Sequence, residues 1–210
     1  LPEQKDGSII KKIQRWKGEG SISNLTKMSY RLKPSGNFYT HDATPNQTYG
    51  WIQIMIYPSS LYSYTSCVFD LQVQGSETTG RNKKSFLKFS VENKNLESNI
   101  ENAILRLYCI SIDNPTNVSI FRLAGNNTRW IEQNDNWNTT ANWIDDKISS
   151  ITVNQLGYCE INVTEYVREM LSTSPQIDIP FALYDDTKSG NNVIFASRYG
   201  NFAPELIITY

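Results

Sequence analysis

Sixteen residues in the second half of the chain, TRWIEQNDNWNTTANW (128–143), hold three of its five tryptophans. Aromatic rings stack on the faces of sugar rings, and the Asn, Asp, Gln, Glu and Thr side chains between them hydrogen-bond hydroxyl groups. The same stretch could instead be a structural corner of a β core, or a glycosylated loop. We predict that Trp130 is core, that Trp137 is core or surface, and that Trp143 is the best exposed platform. Further aromatic ligand candidates are Tyr62, Tyr64, Tyr184 and Tyr199.

Residues that could catalyse hydrolysis are few. His41 is the only histidine, and we expect it in an exposed loop; no G-x-S-x-G motif supplies a nucleophile for it. A glycosidase needs two carboxyl groups facing each other across a cleft. We expect the acid pairs Asp145–Asp146, Asp185–Asp186 and Glu132 with Asp135 all to lie in polar loops, and no pattern places any two opposite each other. The sequence therefore indicates no catalytic residues.

Loop acids have a second use, because Ca²⁺ takes oxygen ligands from Asp and Asn side chains. Asp185 and Asp186 in YDDTKSGNN (184–192) have suitable residue types, although the segment does not match the D-x-[DN]-x-[DN]-G loop. They are the candidate ligands of a structural Ca²⁺, and no other cofactor is indicated.

The three cysteines, Cys67, Cys109 and Cys159, are too few for a disulfide scaffold and lack the spacing of a zinc site. Each lies in an apolar, strand-like run. One disulfide plus a buried thiol, or three buried thiols, would both fit. Cys109 and Cys159 are the candidate pair because both fall on the inward phase of their strands.

Six N-x-S/T sequons are present, a modest excess for a chain so rich in Asn. They begin at Asn24, Asn46, Asn117, Asn126, Asn138 and Asn162. With few charges and abundant Tyr and Trp, they favour a secreted or cell-surface protein. The 20 basic residues nearly balance the 21 acidic ones, which gives no electrostatic case for nucleic acid, and no apolar run approaches the roughly 20 residues of a membrane span.

The elements that must position these residues alternate with a period of two. In SFLKFSV (85–91) and NAILRLYCISI (102–112) apolar residues point one way and polar residues the other, and five further segments resemble them. One helix is predicted at 164–171, capped by Thr164. Many short strands separated by Asn, Gly, Pro and Asp predict an all-β fold, an antiparallel, jelly-roll-like β-sandwich with one short helix. Residues 1–36 are predicted to be an N-terminal extension, edge strand or linker to a neighbouring module, and 37–210 the sandwich.

Four segments in order carry a family resemblance. They are RNKKSFLKFSVENKNLESNIENAILRLY (81–108), SIFRLAGNNTRWIEQNDNW (119–137), CEINVTEYVREML (159–171) and IFASRYGNFAPELIITY (194–210). This order resembles the DNRLRE-type modules, which are related to carbohydrate-binding module family 96 and to disaggregatase-related repeats. The match departs from the family at Arg198, where a Glu is usual, and at an insertion containing WIQIMIYPSSLYSYTS (51–66).

The resemblance implies an extracellular β-sandwich that often binds polysaccharide, and it does not imply catalysis. Our first hypothesis is a non-catalytic carbohydrate-binding module. The alternative is a protein-binding module of a surface or scaffold protein, such as a cohesin-like or adhesin repeat. The apolar stretch 51–64 would be its contact surface, because exposed apolar patches often mark interfaces.

Overall fold

A computed structural model describes residues 12–13, 28–46, 51–56, 63–68, 70–92, 100–124, 135–173 and 176–210. Within these, only the backbone is described at 12–13, 28, 51–56, 63–68, 92 and 176.

Fourteen strands and one helix make up the described residues. The strands are β1 (Lys12–Ile13), β2 (Met28–Leu32), β3 (Gly36–His41), β4 (Trp51–Ile56), β5 (Ser63–Val68), β6 (Leu71–Val73), β7 (Lys83–Glu92), β8 (Asn102–Ile112), β9 (Thr116–Leu123), β10 (Ile144–Val153), β11 (Gly157–Asn162), β12 (Gln176–Tyr184), β13 (Val193–Phe195) and β14 (Glu205–Thr209). Helix α1 spans Thr164–Thr173.

The strands form two main antiparallel sheets. A seven-stranded sheet runs β1-β2-β14-β8-β13-β6, with β11 also paired to β8, and a five-stranded sheet runs β10-β9-β12-β7-β3. β4 and β5 pair separately as a two-stranded sheet. This confirms the predicted all-β sandwich.

The main core fills the space between the two sheets. Alternate residues of β8 (Leu105, Leu107) and β7 (Leu87, Phe89) are fully buried in one apolar cluster, as the period-two pattern predicts. β8 has the bounds predicted from the sequence. The outward positions of each strand therefore form the two outer faces of the sandwich.

Helix α1 lies against strands of both sheets and contributes buried apolar residues, such as Val167 and Leu171, to this core. The hydroxyl group of Tyr166 donates to the carbonyl oxygen of Pro180 at 2.9 Å. Thr164 does not cap the helix as predicted: its Oγ1 accepts from Ala103 N of β8 at 2.9 Å. The oxygen that receives the first-turn amide is Asn162 Oδ1, 3.0 Å from Thr164 N.

The two inward cysteines are buried free thiols, so the predicted disulfide is not formed. Strand register gives the reason. Cys109 lies opposite Gly157 and Cys159 lies opposite Leu107, so the two cysteines are diagonal neighbours. Diagonal Cα atoms lie about 7–8 Å apart, beyond the usual span of a disulfide. Burial raises the pKa of both thiols, that of Cys159 to about 11.

The segment predicted as an extension contributes β1 and β2, and β2 pairs with β14 in the seven-stranded sheet. His41 is not in an exposed loop as expected: it ends β3 and is partly buried, with its Nε2 3.9 Å from Asp42 Oδ1. In the described part of the chain, no helix has the length and apolar character needed to cross a membrane.

Candidate functional site

The outer face of the five-stranded sheet carries an aromatic layer of its own. Phe38 of β3 and Phe86 of β7 face each other in register and stack at 4.9 Å between ring centroids. Both are fully buried, together with Ala182 of the adjacent strand β12. An outer face would normally meet water, so something must cover these rings.

The cover includes residues 135–143. Asn136 organises this segment, because its Oδ1 accepts from the amides of Asn138 and Thr139 at 3.0 and 3.2 Å. Such local side-chain hydrogen bonds are why Asn and Thr favour turns. The segment is fastened to the turn after β3, where Asn138 N donates to Pro45 O at 3.2 Å and Asn138 Nδ2 donates to Asn46 Oδ1 at 2.8 Å.

Trp143 is a structural cover rather than the exposed platform predicted from the sequence. It is partly buried, and its ring meets Phe86 and Phe38 edge to face at 5.8 and 6.5 Å. The prediction of an exposed platform was wrong because the sequence around Trp143 does not show that an apolar layer lies beneath this tryptophan.

Trp137 lies over the same face and forms a small polar and aromatic cluster that we call the Lys84 site: Asn82, Lys84, Trp137 and Tyr184. The ammonium nitrogen of Lys84 is 4.2 Å from the ring centroid of Trp137 and 5.7 Å from that of Tyr184. These are cation–π distances. The structure thus brings two of the predicted ligand residues, Trp137 and Tyr184, around one cation.

That cation is partly buried and poorly neutralised. Among the described residues, no hydrogen bond or ion pair to Lys84 Nζ accompanies the two ring contacts. Burial lowers the pKa of Lys84, and the more distant carboxylate of Asp42 opposes this shift. Lys88, four residues further along β7 and on the same face, instead has Asp178 Oδ2 at 3.6 Å.

A chain of hydrogen bonds through Asn82 and Asp42 positions Tyr184. The hydroxyl group of Tyr184 donates to Asn82 Oδ1 at 3.0 Å, and Asn82 Nδ2 donates to Asp42 Oδ2 at 2.8 Å. Asp42 also accepts from the amides of Gly80 and Asn82, at 2.9 and 2.8 Å. Burial alone would raise the pKa of Asp42, but these hydrogen bonds lower it overall. The ring of Tyr184 is therefore fixed from its hydroxyl end.

Of the remaining aromatic candidates, only Tyr199 has a described side chain, and its described contacts are outside this site. Tyr199 lies in the loop between β13 and β14, where its hydroxyl group accepts from Arg198 Nη2 at 2.6 Å and its ring lies 4.6 Å from that guanidinium. Tyr64 is in β5, of which only the backbone is described, and Tyr62 lies outside the described residues. Trp130 and Glu132 also lie outside them.

Asp185 and Asp186 are occupied by protein donors. Asp185 is buried, and its carboxylate accepts from the amide and hydroxyl groups of both Thr187 and Ser189, at 2.6–3.0 Å. Asp186 accepts from Ser119 Oγ at 2.6 Å and pairs with Lys147 Nζ at 2.7 Å. In the ranges that the structure describes, no three His, Cys, Asp or Glu residues are grouped as metal ligands. Asp185 stabilises its own loop through these hydrogen bonds. Binding of a structural Ca²⁺ stays a prediction.

The sequons differ in accessibility. Asn46, Asn138 and Asn162 are exposed, whereas Asn117 is partly buried in β9. Asn24 and Asn126 lie outside the described residues.

Lys84, the centre of the site, was missed in the sequence. The signal was present: in KSFLKF (84–89), Lys84, Phe86 and Lys88 share the outward phase, and a Phe on that phase is unusual for a solvated face. A buried outward Phe implies a cover, and a cover partly buries the lysine beside it.

The model of carbohydrate-binding module family 96 matches residues 28–210. The chain belongs to carbohydrate-binding module family 96. The match begins at β2 and includes both main sheets except β1, the helix and the Lys84 site. It confirms the resemblance drawn from the four sequence segments. The search of curated proteins found no match to the chain.

Proposed function

We propose that this family 96 module is a non-catalytic, extracellular domain that binds an acidic polysaccharide at the Lys84 site. The observation that carries the proposal is the Lys84 ammonium group, which lies 4.2 Å above the Trp137 ring without a described acceptor. Family membership supports carbohydrate binding in general. The charge and the ring geometry support the acidic class.

A partly buried charge without a hydrogen-bonding partner is costly to the fold. A carboxylate or sulfate group on a sugar would supply that partner through a short, charge-assisted hydrogen bond. The whole chain has a net charge of −1, so attraction to a polyanion would not come from bulk charge. It would come from a local cation whose position is fixed.

The two rings supply the other half of sugar recognition. Trp137 and Tyr184 bring apolar ring surface beside the cation, and the amide of Asn82 fixes the hydroxyl end of Tyr184. Aromatic side chains offer large contact area at low conformational cost, while amide and ammonium groups fix orientation through hydrogen bonds. An acidic sugar residue has a pyranose face that can stack on the rings, hydroxyl groups that can form hydrogen bonds, and a negative charge that can pair with the ammonium group.

Affinity gel electrophoresis tests the proposal. The native chain is run through gels that contain a polyuronate such as polygalacturonate, a sulfated galactan, or a neutral glucan. We expect retardation in at least one acidic gel. Replacing Trp137 with Ala should weaken the retardation at least tenfold, because the substitution removes both the ring surface and the contact that positions Lys84.

Two matched controls locate the effect. Tyr199→Ala removes an aromatic ring from the loop between β13 and β14, outside the Lys84 site, and Lys88→Met removes a paired cation from the same strand face as Lys84. Both should leave retardation unchanged. If no acidic polysaccharide retards the native chain, or if Trp137→Ala and the controls behave alike, the proposed function is wrong. Incubation with the retarding polysaccharide should release no new chain ends, because binding is not accompanied by cleavage.

A further inference from the structure

The opposite outer face, that of the seven-stranded sheet, carries an exposed aromatic cluster that we call the aromatic patch: Tyr108, Tyr158 and Phe202. Tyr108 and Tyr158 lie opposite each other across β8 and β11. Phe202 comes from the loop between β13 and β14 and stacks on Tyr108, with 4.1 Å between centroids and 11° between planes. Three separate segments of the chain thus meet at one spot.

Two of these rings are exposed to solvent, and Tyr108 beneath them is partly buried. Tyr158 is 48% exposed and Phe202 is 43% exposed. None of the three belongs to the core between the sheets. Outward positions of a sandwich strand are ordinarily polar, and a cluster of exposed rings on such a face is typical of a binding surface.

The charges beside the patch are neutralised within the protein. A row of alternating charges crosses four neighbouring strands: Arg31 to Glu205 at 3.1 Å, Glu205 to Arg106 at 3.2 Å, and Arg106 to Glu160 at 3.3 Å. The Arg106 guanidinium also lies 3.6 Å from the Tyr158 ring centroid and holds that ring in place. This row offers planar polar groups for hydroxyl groups and no free charge for an ionic partner, in contrast to the Lys84 site.

We propose that the aromatic patch is a second saccharide site, specific for a soluble, uncharged polysaccharide chain. Exposed rings supply the stacking surface, and the neutralised arginine and glutamate side chains supply hydrogen bonds to sugar hydroxyl groups. The ring geometry excludes a flat crystalline ligand: the planes of Tyr158 and Phe202 are 81° apart, with 6.4 Å between centroids. Two perpendicular rings form a corner for a single chain rather than a flat platform.

The two sites lie on opposite outer faces of one sandwich, so the module would connect an acidic chain on one side to a neutral chain on the other. The neutral site does not depend on the Lys84 site, and each can be removed separately. Its variants should keep their fold because the substituted rings lie outside the core.

The test is affinity gel electrophoresis in gels containing soluble galactomannan, xylan or mixed-linkage β-glucan. The full chain is produced without N-glycosylation, because Asn162 shares the outward phase of β11 with Tyr158. We expect at least one neutral gel to retard the native chain. Tyr158→Ala and Phe202→Ala should each weaken this retardation at least tenfold. Tyr158→Phe, which keeps the ring, should retain most of the binding.

Trp137→Ala and Lys84→Met, on the opposite face, should leave neutral binding unchanged, which separates this proposal from the proposed function. Three results would overturn it: no retardation of the native chain in any neutral gel, full retardation of both alanine variants, or equal losses in the opposite-face variants. Sedimentation equilibrium could give a fourth result that would overturn the proposal. A dimer that Tyr158→Ala converts to monomer would make the patch a protein interface between two copies of the chain.

Discussion

Lys84→Met should stabilise the fold while weakening acidic binding, because the lysine serves a ligand rather than the sheet. Methionine keeps the straight side chain but removes the ammonium group. An unsatisfied polar group costs about 1–3 kcal/mol when buried, and the partial exposure of Lys84 favours the lower end, about 1 kcal/mol. The cation–π contacts that are lost offset about 0.5 kcal/mol. The net gain is about 0.5 kcal/mol, a rise in Tm of roughly 1–2 °C for a chain of this size.

Lys88→Met is the matched substitution with the opposite expected sign. It removes an ion pair with Asp178 worth about 0.5 kcal/mol, so the fold should become slightly less stable. Urea unfolding at pH 7 measures both free energies. If Lys84→Met destabilises the chain as much as Lys88→Met does, Lys84 stabilises the aromatic layer, and the claim that its ammonium group costs the fold free energy is wrong.

The stability difference between Lys84→Met and the native chain should also depend on pH. Burial lowers the pKa of Lys84 in the folded chain below its usual value of 10.5. The unfolded chain therefore binds more protons between the lowered pKa and about 10.5, and the native chain gains stability as the pH rises through that window. The advantage of Lys84→Met over the native chain should accordingly shrink between neutral pH and pH 10.5.

Three further substitutions test the surrounding architecture by urea unfolding. In Gly75→Ala the added Cβ would lie 1.7 Å from the carbonyl oxygen of Asp185, so we expect a loss of about 3 kcal/mol or no folded protein. Trp143→Ala uncovers Phe86 and should cost about 2–3 kcal/mol, whereas an exposed platform would cost almost nothing. Asp42 has a lowered pKa when folded, so its contribution is present above the unfolded pKa of about 3.8 and is lost as the pH falls through the folded value. Asp42→Asn should flatten the fall in stability below pH 4, and parallel curves for the two proteins would contradict this.

The sandwich was predictable because alternation is a local property of each strand. The inward residues of β8 and β11 were assigned correctly from their period alone, and the helix Thr164–Thr173 begins where its apolar stripe indicates. Partners across strands were harder to predict. The phase of Cys109 and Cys159 was correct, but register, which decides whether two inward residues are opposite or diagonal, is not encoded in either strand alone.

The site was only half predictable, for a related reason. Residue type alone makes Trp137 and Tyr184 candidates. They meet because residues 135–143 fold back onto the turn after β3 through Asn138 and Pro45, a contact between distant parts of the chain. Periodicity shows which residues share a face but not what covers that face. That is why Trp143 was mistaken for a platform.

The most direct test of the central claim is a titration calorimetry comparison on one polysaccharide backbone in two charge states. The native chain and Lys84→Met are each titrated with an acidic polyuronate and with the same polymer after its carboxyl groups have been reduced to alcohols. We expect Lys84→Met to weaken binding of the carboxylated polymer by about 10- to 100-fold, the equivalent of one hydrogen bond to a charged group. Binding of the reduced polymer should change little. An equal loss on both polymers, or no loss on either, would show that the Lys84 ammonium group does not bind the carboxylate.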